Sequence, residues 1–187
     1  EDINLPELLE NIVTDIRADL RGTSVKINIM CEDDAKELVT DRSRLRDALF
    51  ELVENAAKFT KEGQVDVLAY RSADGFEAGK DALVISVRDT GTGIPKQHLP
   101  TLFEQFNISN DASSSKYGGT GLGLAITKNI MASLRGHVSC ASVPGVGTTM
   151  TLDVPLEMTP FVELAGLNGA NAGGGRFPNS SQKHAQH

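Results

Sequence analysis

The 187 residues suit one domain of about 150 residues with some excess, since domains usually run roughly 100 to 200 residues. Hydrophobic residues make up 40%, and no apolar run approaches the roughly 18 residues a membrane span needs, which excludes a transmembrane segment in this stretch. With 18 Lys+Arg against 25 Asp+Glu and a net charge of -7, a phosphate-backbone binder working by bulk positive charge is disfavoured, so any phosphate held here is held locally. Cys31 and Cys140 supply neither a disulfide framework nor C-x-x-C spacing, and the expected setting is reducing and cytoplasmic. The chain opens on Glu1, without Met or a signal-like segment, and is expected to be a piece of a longer protein.

In chain order, Leu5, Leu8, Leu9, Ile12, Val13, Ile16 and Leu20 recur at three- and four-residue steps, and Asn4 with Glu7 resembles an N-cap pair. This predicts an amphipathic helix ended by Gly22. Val25, Ile27 and Ile29 alternate over a short strand before the acidic turn at 32–34, and a second helix is predicted from near Asp41 to Phe59. Strands over 65–70 and 83–87 flank a hairpin-like connection and are expected to pair antiparallel. A helix over 122–134, with Gly136 at its C-terminal cap, precedes strands over 138–141 and 148–154 around the turn VPGVG. The fold class expected is mixed α+β. From Met158 onward Gly, Asn, Ser and Ala dominate, so residues 1–157 are read as the domain and 158–187 as a linker or tail.

On the second helix, at 100° per residue, Leu45, Ala48, Leu49, Leu52, Val53, Ala56 and Phe59 fall on a face expected to be core. Asp47, Glu51, Asn55 and Lys58 lie within roughly 80° of one another on the opposite side. Taken alone, that stripe reads as a solvated face with an ion pair. The strand over 83–87 runs into RDTGTGIP, where Asp89 is expected to be aimed out of the sheet edge. Gly91 and Gly93 let the backbone approach a flat ligand, whose exocyclic amine the carboxylate can accept. The plainer reading is an Asp that stabilises its own turn. Further on, YGGTGLGLAI sets Gly118, Gly119, Gly121 and Gly123 where free N–H groups meet a positive helix end, a place for anions to which Thr120 can add a hydroxyl. Neither the Walker nor the Rossmann glycine spacing fits. FNISNDASSSKYGG, between the two glycine motifs, reads as a mobile lid.

These motifs resemble the ATP-binding catalytic domain of sensor histidine kinases, in the wider group with gyrase, the Hsp90 chaperone and MutL, over residues 5–156. FELVENAAKFT is similar to the family's N box, RDTGTGIP to its first Gly box, LFEQF to its F box, YGGTGLGLAI to its second and PGVGTTMTL to its last. The resemblance implies a two-layer α/β sandwich, a mixed sheet of about five strands on three helices, with ATP under a mobile lid. It also implies that Asp89 binds the adenine amine, Asn55 holds Mg²⁺ and Lys58 contacts phosphate. Gly93 then supports the adenine pocket, and Gly91, Ile94 and Thr148 count among the residues that bind the nucleotide. Lys116, Tyr117, Gly119, Thr120, Gly121, Leu122, Gly123 and Leu124 belong to the lid and phosphate end, and Phe103 and Phe106 anchor the lid. Glu51 departs from the pattern: many histidine kinases have Asn there, whereas ATP-hydrolysing relatives and serine kinases of the anti-sigma type use Glu as a general base, and support of the Mg²⁺ shell through water is the equal alternative.

None of His98, His137, His184 and His187 sits in the family's phosphoacceptor motif, so the acceptor histidine is expected on a dimerisation domain outside this chain. The expected activity is that of a protein histidine kinase in two-component signalling, a transferase that moves the γ-phosphoryl of Mg-ATP to that histidine. Its partners would be the dimerisation domain and a response regulator receiver, the latter possible as a downstream fusion after the linker, with no nucleic acid and no membrane contact. The parent protein is free to be membrane-anchored. Two other readings stand beside it: an ATPase or serine kinase using Glu51 as base, and a non-catalytic nucleotide-sensing module.

Overall fold

The computed structural model describes residues 1–19, 24–75, 80–105 and 121–156. The elements, in order, are β1 (Asp2–Asn4), α1 (Leu5–Asp19), β2 (Ser24–Cys31), β3 (Glu37–Val39), α2 (Arg42–Phe59), β4 (Glu62–Ser72), β5 (Ala82–Asp89), α3 (Gly123–Ser133), β6 (His137–Val143) and β7 (Gly147–Pro155). Short 3-10 helices lie at Asp33–Ala35 and Lys96–Thr101.

Local chemistry starts the helices where the sequence places them. The Glu7 N–H donates to Asn4 Oδ1 at 3.0 Å, and the Arg44 N–H donates to Asp41 Oδ1 at 3.1 Å, so α1 and α2 both begin on a side-chain N-cap. At the end of α3 the left-handed residue is Arg135, at φ 55°, and not Gly136. Gly136 serves by its size instead: its N–H donates to the Met131 carbonyl, and a Cβ there would strike the Asp153 carbonyl and the Met131 methyl.

Five strands form one mixed sheet in the order β2-β4-β5-β7-β6, with β2 parallel to β4 and the other pairs antiparallel. β1 and β3 make a separate two-stranded antiparallel sheet. The register lines up rows of side chains on one face of the large sheet. One row runs Ile29, Val67, Val87, Met150 and Cys140, and the next along runs Cys31, Ala69, Ile85, Leu152 and Val138. These rows pack with Leu8, Leu9, Ile12 and Ile16 of α1, Leu45, Leu49, Leu52 and Val53 of α2, and Met131 of α3 in a single core. At about 25 cal/mol per Å² of apolar surface removed from water, each fully buried Leu or Ile contributes roughly 1.5–3 kcal/mol. The result is a two-layer α+β sandwich of a five-stranded mixed sheet under three helices, as the resemblance implied.

One residue departs from the helical wheel: Phe59 is 41% exposed, because α2 ends there and the ring lies under the Lys58 ammonium at 5.8 Å, while Ala57 takes a buried place. The expected ends at Gly22 and the tail 158–187 lie outside the described residues. Among the described residues no helix is long and apolar enough to cross a membrane.

Candidate functional site

The row that closes the core face at one end of the sheet changes character across the strands. It runs Ile27, Val65, Asp89, Thr148, Ser142, so three polar residues from β5, β7 and β6 stand side by side where the other rows are apolar. Asp89 therefore ends the central strand and is not aimed out of a sheet edge. It is 7% exposed, and its Oδ1 accepts from the Gly91 N–H at 2.8 Å and the Thr148 N–H at 3.2 Å. The plain turn-stabilising role is thus real, but it occupies one oxygen. Oδ2 has no partner, and since no buried side-chain oxygen among the described residues lacks one, Oδ2 stays open to solvent or to a ligand donor. Burial pushes the Asp89 carboxyl above its ordinary value, while the two N–H donors pull the other way.

The loop after Asp89 is pinned on both sides. The Thr92 N–H donates to the Phe59 carbonyl at 3.3 Å, and a Cβ on Gly91 would land on that same carbonyl, which sets the loop against the C-terminal end of α2. On the other side the Gly145 N–H donates to the Thr92 carbonyl at 2.8 Å and the Ile94 N–H to Ser142 Oγ at 2.7 Å. Gly93, at φ 67°, lies so close to the Val143 carbonyl that no side chain fits. Ile94 packs against the core from above.

Along α2, Glu51, Asn55 and Lys58 are half-buried and share one face, spread over about 10 Å at 1.5 Å per residue. Asp47, which the wheel put on the same stripe, is exposed and lines a groove with Arg44 and Asn129. Glu51 lies against the first turn of α3: a Cβ on Gly123 would collide with its Oε2. The carboxyl of Glu51 is raised above its usual range by burial first, then by Glu54 and Asp47, with Lys58 opposing. The N-cap of α3 is Leu122, with no side-chain cap bond, so the leading N–H groups of α3 are left for an anion, and Gly121 precedes them at φ 68°. Leu124 packs on the core.

The structure thus brings Asp89, Gly91, Gly93, Ile94 and Thr148 together at the end of the central strand, with Glu51 beside Gly123 and Asn55 and Lys58 further along the same face of α2. Phe106, Lys116, Tyr117, Gly119 and Thr120 lie outside the described residues, as does the expected lid. Phe103 packs against the core. Sequence reasoning missed Ser142: a lone serine in an alternating strand gives no signal until the register sets it beside Thr148. Burial raises the thiols of Cys31 and Cys140, the latter to about 11 with help from the Asp89 charge, which keeps both protonated as small, inert side chains.

Among the described residues no three His, Cys, Asp or Glu side chains converge into a metal cage. Asn55 and Glu51 nonetheless fit Mg²⁺, which takes hard oxygens, keeps its waters and is held by one or two side chains together with substrate phosphates.

The five-stranded mixed sheet under three helices, with a buried carboxylate ending its central strand, defines a class of two-layer α+β sandwich domains, and comparison with known proteins gives the family. The model of the family described as "Histidine kinase-, DNA gyrase B-, and HSP90-like ATPase" matches residues 40–158. Among curated relatives, the sensor histidine kinase AruS of Pseudomonas aeruginosa is 35% identical over 170 residues, 90% of this chain and 16% of AruS. Among solved structures, full-length ShkA in complex with AMPPNP is 26% identical at a TM-score of 0.69, covering 83% of this chain and 30% of ShkA. The mycobacterial sensor histidine kinase MprB shares the fold at a TM-score of 0.68 and 24% identity, covering 83% of this chain and 97% of the MprB chain. The chain belongs to this ATPase family, as a catalytic, ATP-binding domain of the sensor histidine kinase type. It spans about a sixth of the length of AruS.

Proposed function

We propose that the chain binds Mg-ATP and transfers the γ-phosphoryl to a histidine on a dimerisation domain of its parent protein, as the kinase step of two-component signalling. The observation that carries this reading is Asp89: a buried carboxylate at the end of the central strand, with one oxygen tied to the Gly91 and Thr148 N–H groups and the other open, beside a loop that Gly91 and Gly93 let sit tightly against the Phe59 and Val143 carbonyls. In this reading Oδ2 accepts from the adenine amine, Ile94 and Thr148 flank the base, and Gly121, Leu122 and Gly123 present N–H groups to the phosphates. Lys58 neutralises phosphate charge, with Lys116 assigned to the same task. Asn55 holds Mg²⁺, whose contribution when bound is to offset the charge that develops on the transferred group. The reacting imidazole comes from outside this chain, and the chain's own task is orientation and charge neutralisation. The phosphorylated histidine would then serve a response regulator receiver domain. The setting proposed is cytoplasmic, with the folding unit ending at 157 and residues 158–187 acting as a linker.

Glu51 supports a second reading. Its raised pKa and its place beside Gly123 suit a general base that activates water or a hydroxyl, which would make the domain an ATPase or a serine kinase.

Isothermal titration with Mg-ATP tests the pocket. Asp89→Asn replaces an acceptor by an amide that can present a donor to the adenine amine, and ATP affinity is expected to fall by about 1.5–3 kcal/mol, roughly 10- to 150-fold. Wild-type affinity in that variant would refute the assignment.

A further inference from the structure

Ser142 stands at the junction of the loop after Asp89, the β6–β7 hairpin and the polar row. Its Oγ accepts from the Ile94 N–H at 2.7 Å, donates to the Gly147 carbonyl at 3.0 Å, and lies 2.9 Å from Thr148 Oγ1. The Thr148 N–H in turn donates to Asp89 Oδ1. Proton counting decides the remaining direction. A serine hydroxyl has one proton and two lone pairs. With that proton on the Gly147 carbonyl and one lone pair taken by Ile94, the contact to Thr148 is made with the threonine's own proton. The Thr148 hydroxyl is then a donor to Ser142, and its remaining lone pairs stand beside Asp89 as acceptors.

We infer that Ser142 is a positioning residue that fixes the loop 90–95 over the base pocket and locks Thr148 as an acceptor beside Asp89, so that the pocket selects a base bearing an exocyclic amine over one bearing a carbonyl. This rests on the nucleotide-binding reading above. Two neighbouring acceptors match an amine, which brings two protons, and repel a carbonyl oxygen, which brings none. The cost of a mismatched buried polar pair exceeds the gain from a matched one, so selection of this kind is steep. Without the serine hydroxyl, the Ile94 N–H loses its acceptor and the Thr148 hydroxyl is free to turn and donate, which leaves Asp89 alone to oppose a carbonyl.

The test is titration of the 187-residue chain and its variants with Mg-ATP and Mg-GTP, alongside a thermal melt. Ser142→Ala is expected to bind ATP roughly 5- to 10-fold more weakly and to narrow the wild-type preference for ATP over GTP by a similar factor, the remainder being kept by Asp89. Ser142→Thr, which keeps the hydroxyl, is expected to restore the preference. A change in Tm alone would not move that ratio. Unchanged ATP affinity in Ser142→Ala, or ATP and GTP weakening together at a constant ratio, would overturn the inference. Asp89→Asn separates the two levels: if it loses ATP while Ser142→Ala behaves as wild type, only the role of Ser142 fails. If the wild-type chain does not bind ATP, the nucleotide reading fails and takes this inference with it.

Discussion

Asp89 is the residue at which burial and function pull against each other. Desolvation raises its carboxyl above the ordinary value, so over the interval between the unfolded and folded pKa the native chain holds more protons than the unfolded one. Stability of the ligand-free chain from this group is therefore highest below the ordinary carboxylate value and declines as pH rises through the raised one. On the proposed reading nucleotide binding runs the other way, because the adenine amine needs an acceptor and a protonated carboxyl offers a weaker one. We expect ATP affinity to weaken on acidification from about pH 7 toward pH 4, starting above the ordinary Asp value near 3.9. Asp89→Asn should lack this component, and titrations of the two proteins across that range isolate it from the protonation of ATP itself. Identical pH profiles would show that Asp89 does not meet the base.

At the scale of elements, the pocket depends on how closely the loop after β5 sits on the β6–β7 hairpin. Gly93 and Gly145 both have positive φ, 67° and 76°, yet only Gly93 faces an obstacle, the backbone carbonyl of Val143, while nothing lies near Gly145. Gly93→Ala is expected to cost at least about 2 kcal/mol, a Tm drop of roughly 4–8 °C, and to displace Ile94 from Ser142. Gly145→Ala carries the conformational cost alone, about 1 kcal/mol. Equal melts for the two variants would mean that the hairpin does not clamp the loop. Legibility from sequence divides along the same line. The helices and long strands were legible because their periodicity and caps are local: Asn4 and Asp41 cap α1 and α2, and Val65 to Tyr70 alternates as β4 does. The three-residue strands Asp2–Asn4 and Glu37–Val39 were not, since so short a segment has no period and is defined by a partner about 35 residues away. Asp89, Gly91 and Gly93 announced themselves by type and spacing, whereas Ser142 acquires a role only through the register of three strands. Phe59 was misplaced because a helical wheel does not know where the helix stops.

For the whole molecule, the two layers do different work. The sheet row sets buried Asp89 and Thr148 beside half-buried Ser142, which on the proposed reading meets the base, while the helical layer carries Asn55, Lys58 and the N-terminus of α3, proposed to meet the phosphates. Glu51, beside Gly123, is the residue on which the two proposed readings, transfer and hydrolysis, divide. The chain covers 16% of AruS, and the proposed reaction includes an acceptor histidine on another domain, so the test supplies one. The direct measurement is incubation of this chain with γ-labelled Mg-ATP, with and without the dimerisation domain proposed for the parent protein, scoring acid-labile phosphoprotein against free phosphate. We predict label on a histidine of the added domain, lost in Asn55→Ala and retained in Glu51→Gln. Free phosphate without phosphoprotein, abolished by Glu51→Gln, would contradict the kinase account and make the domain a hydrolase.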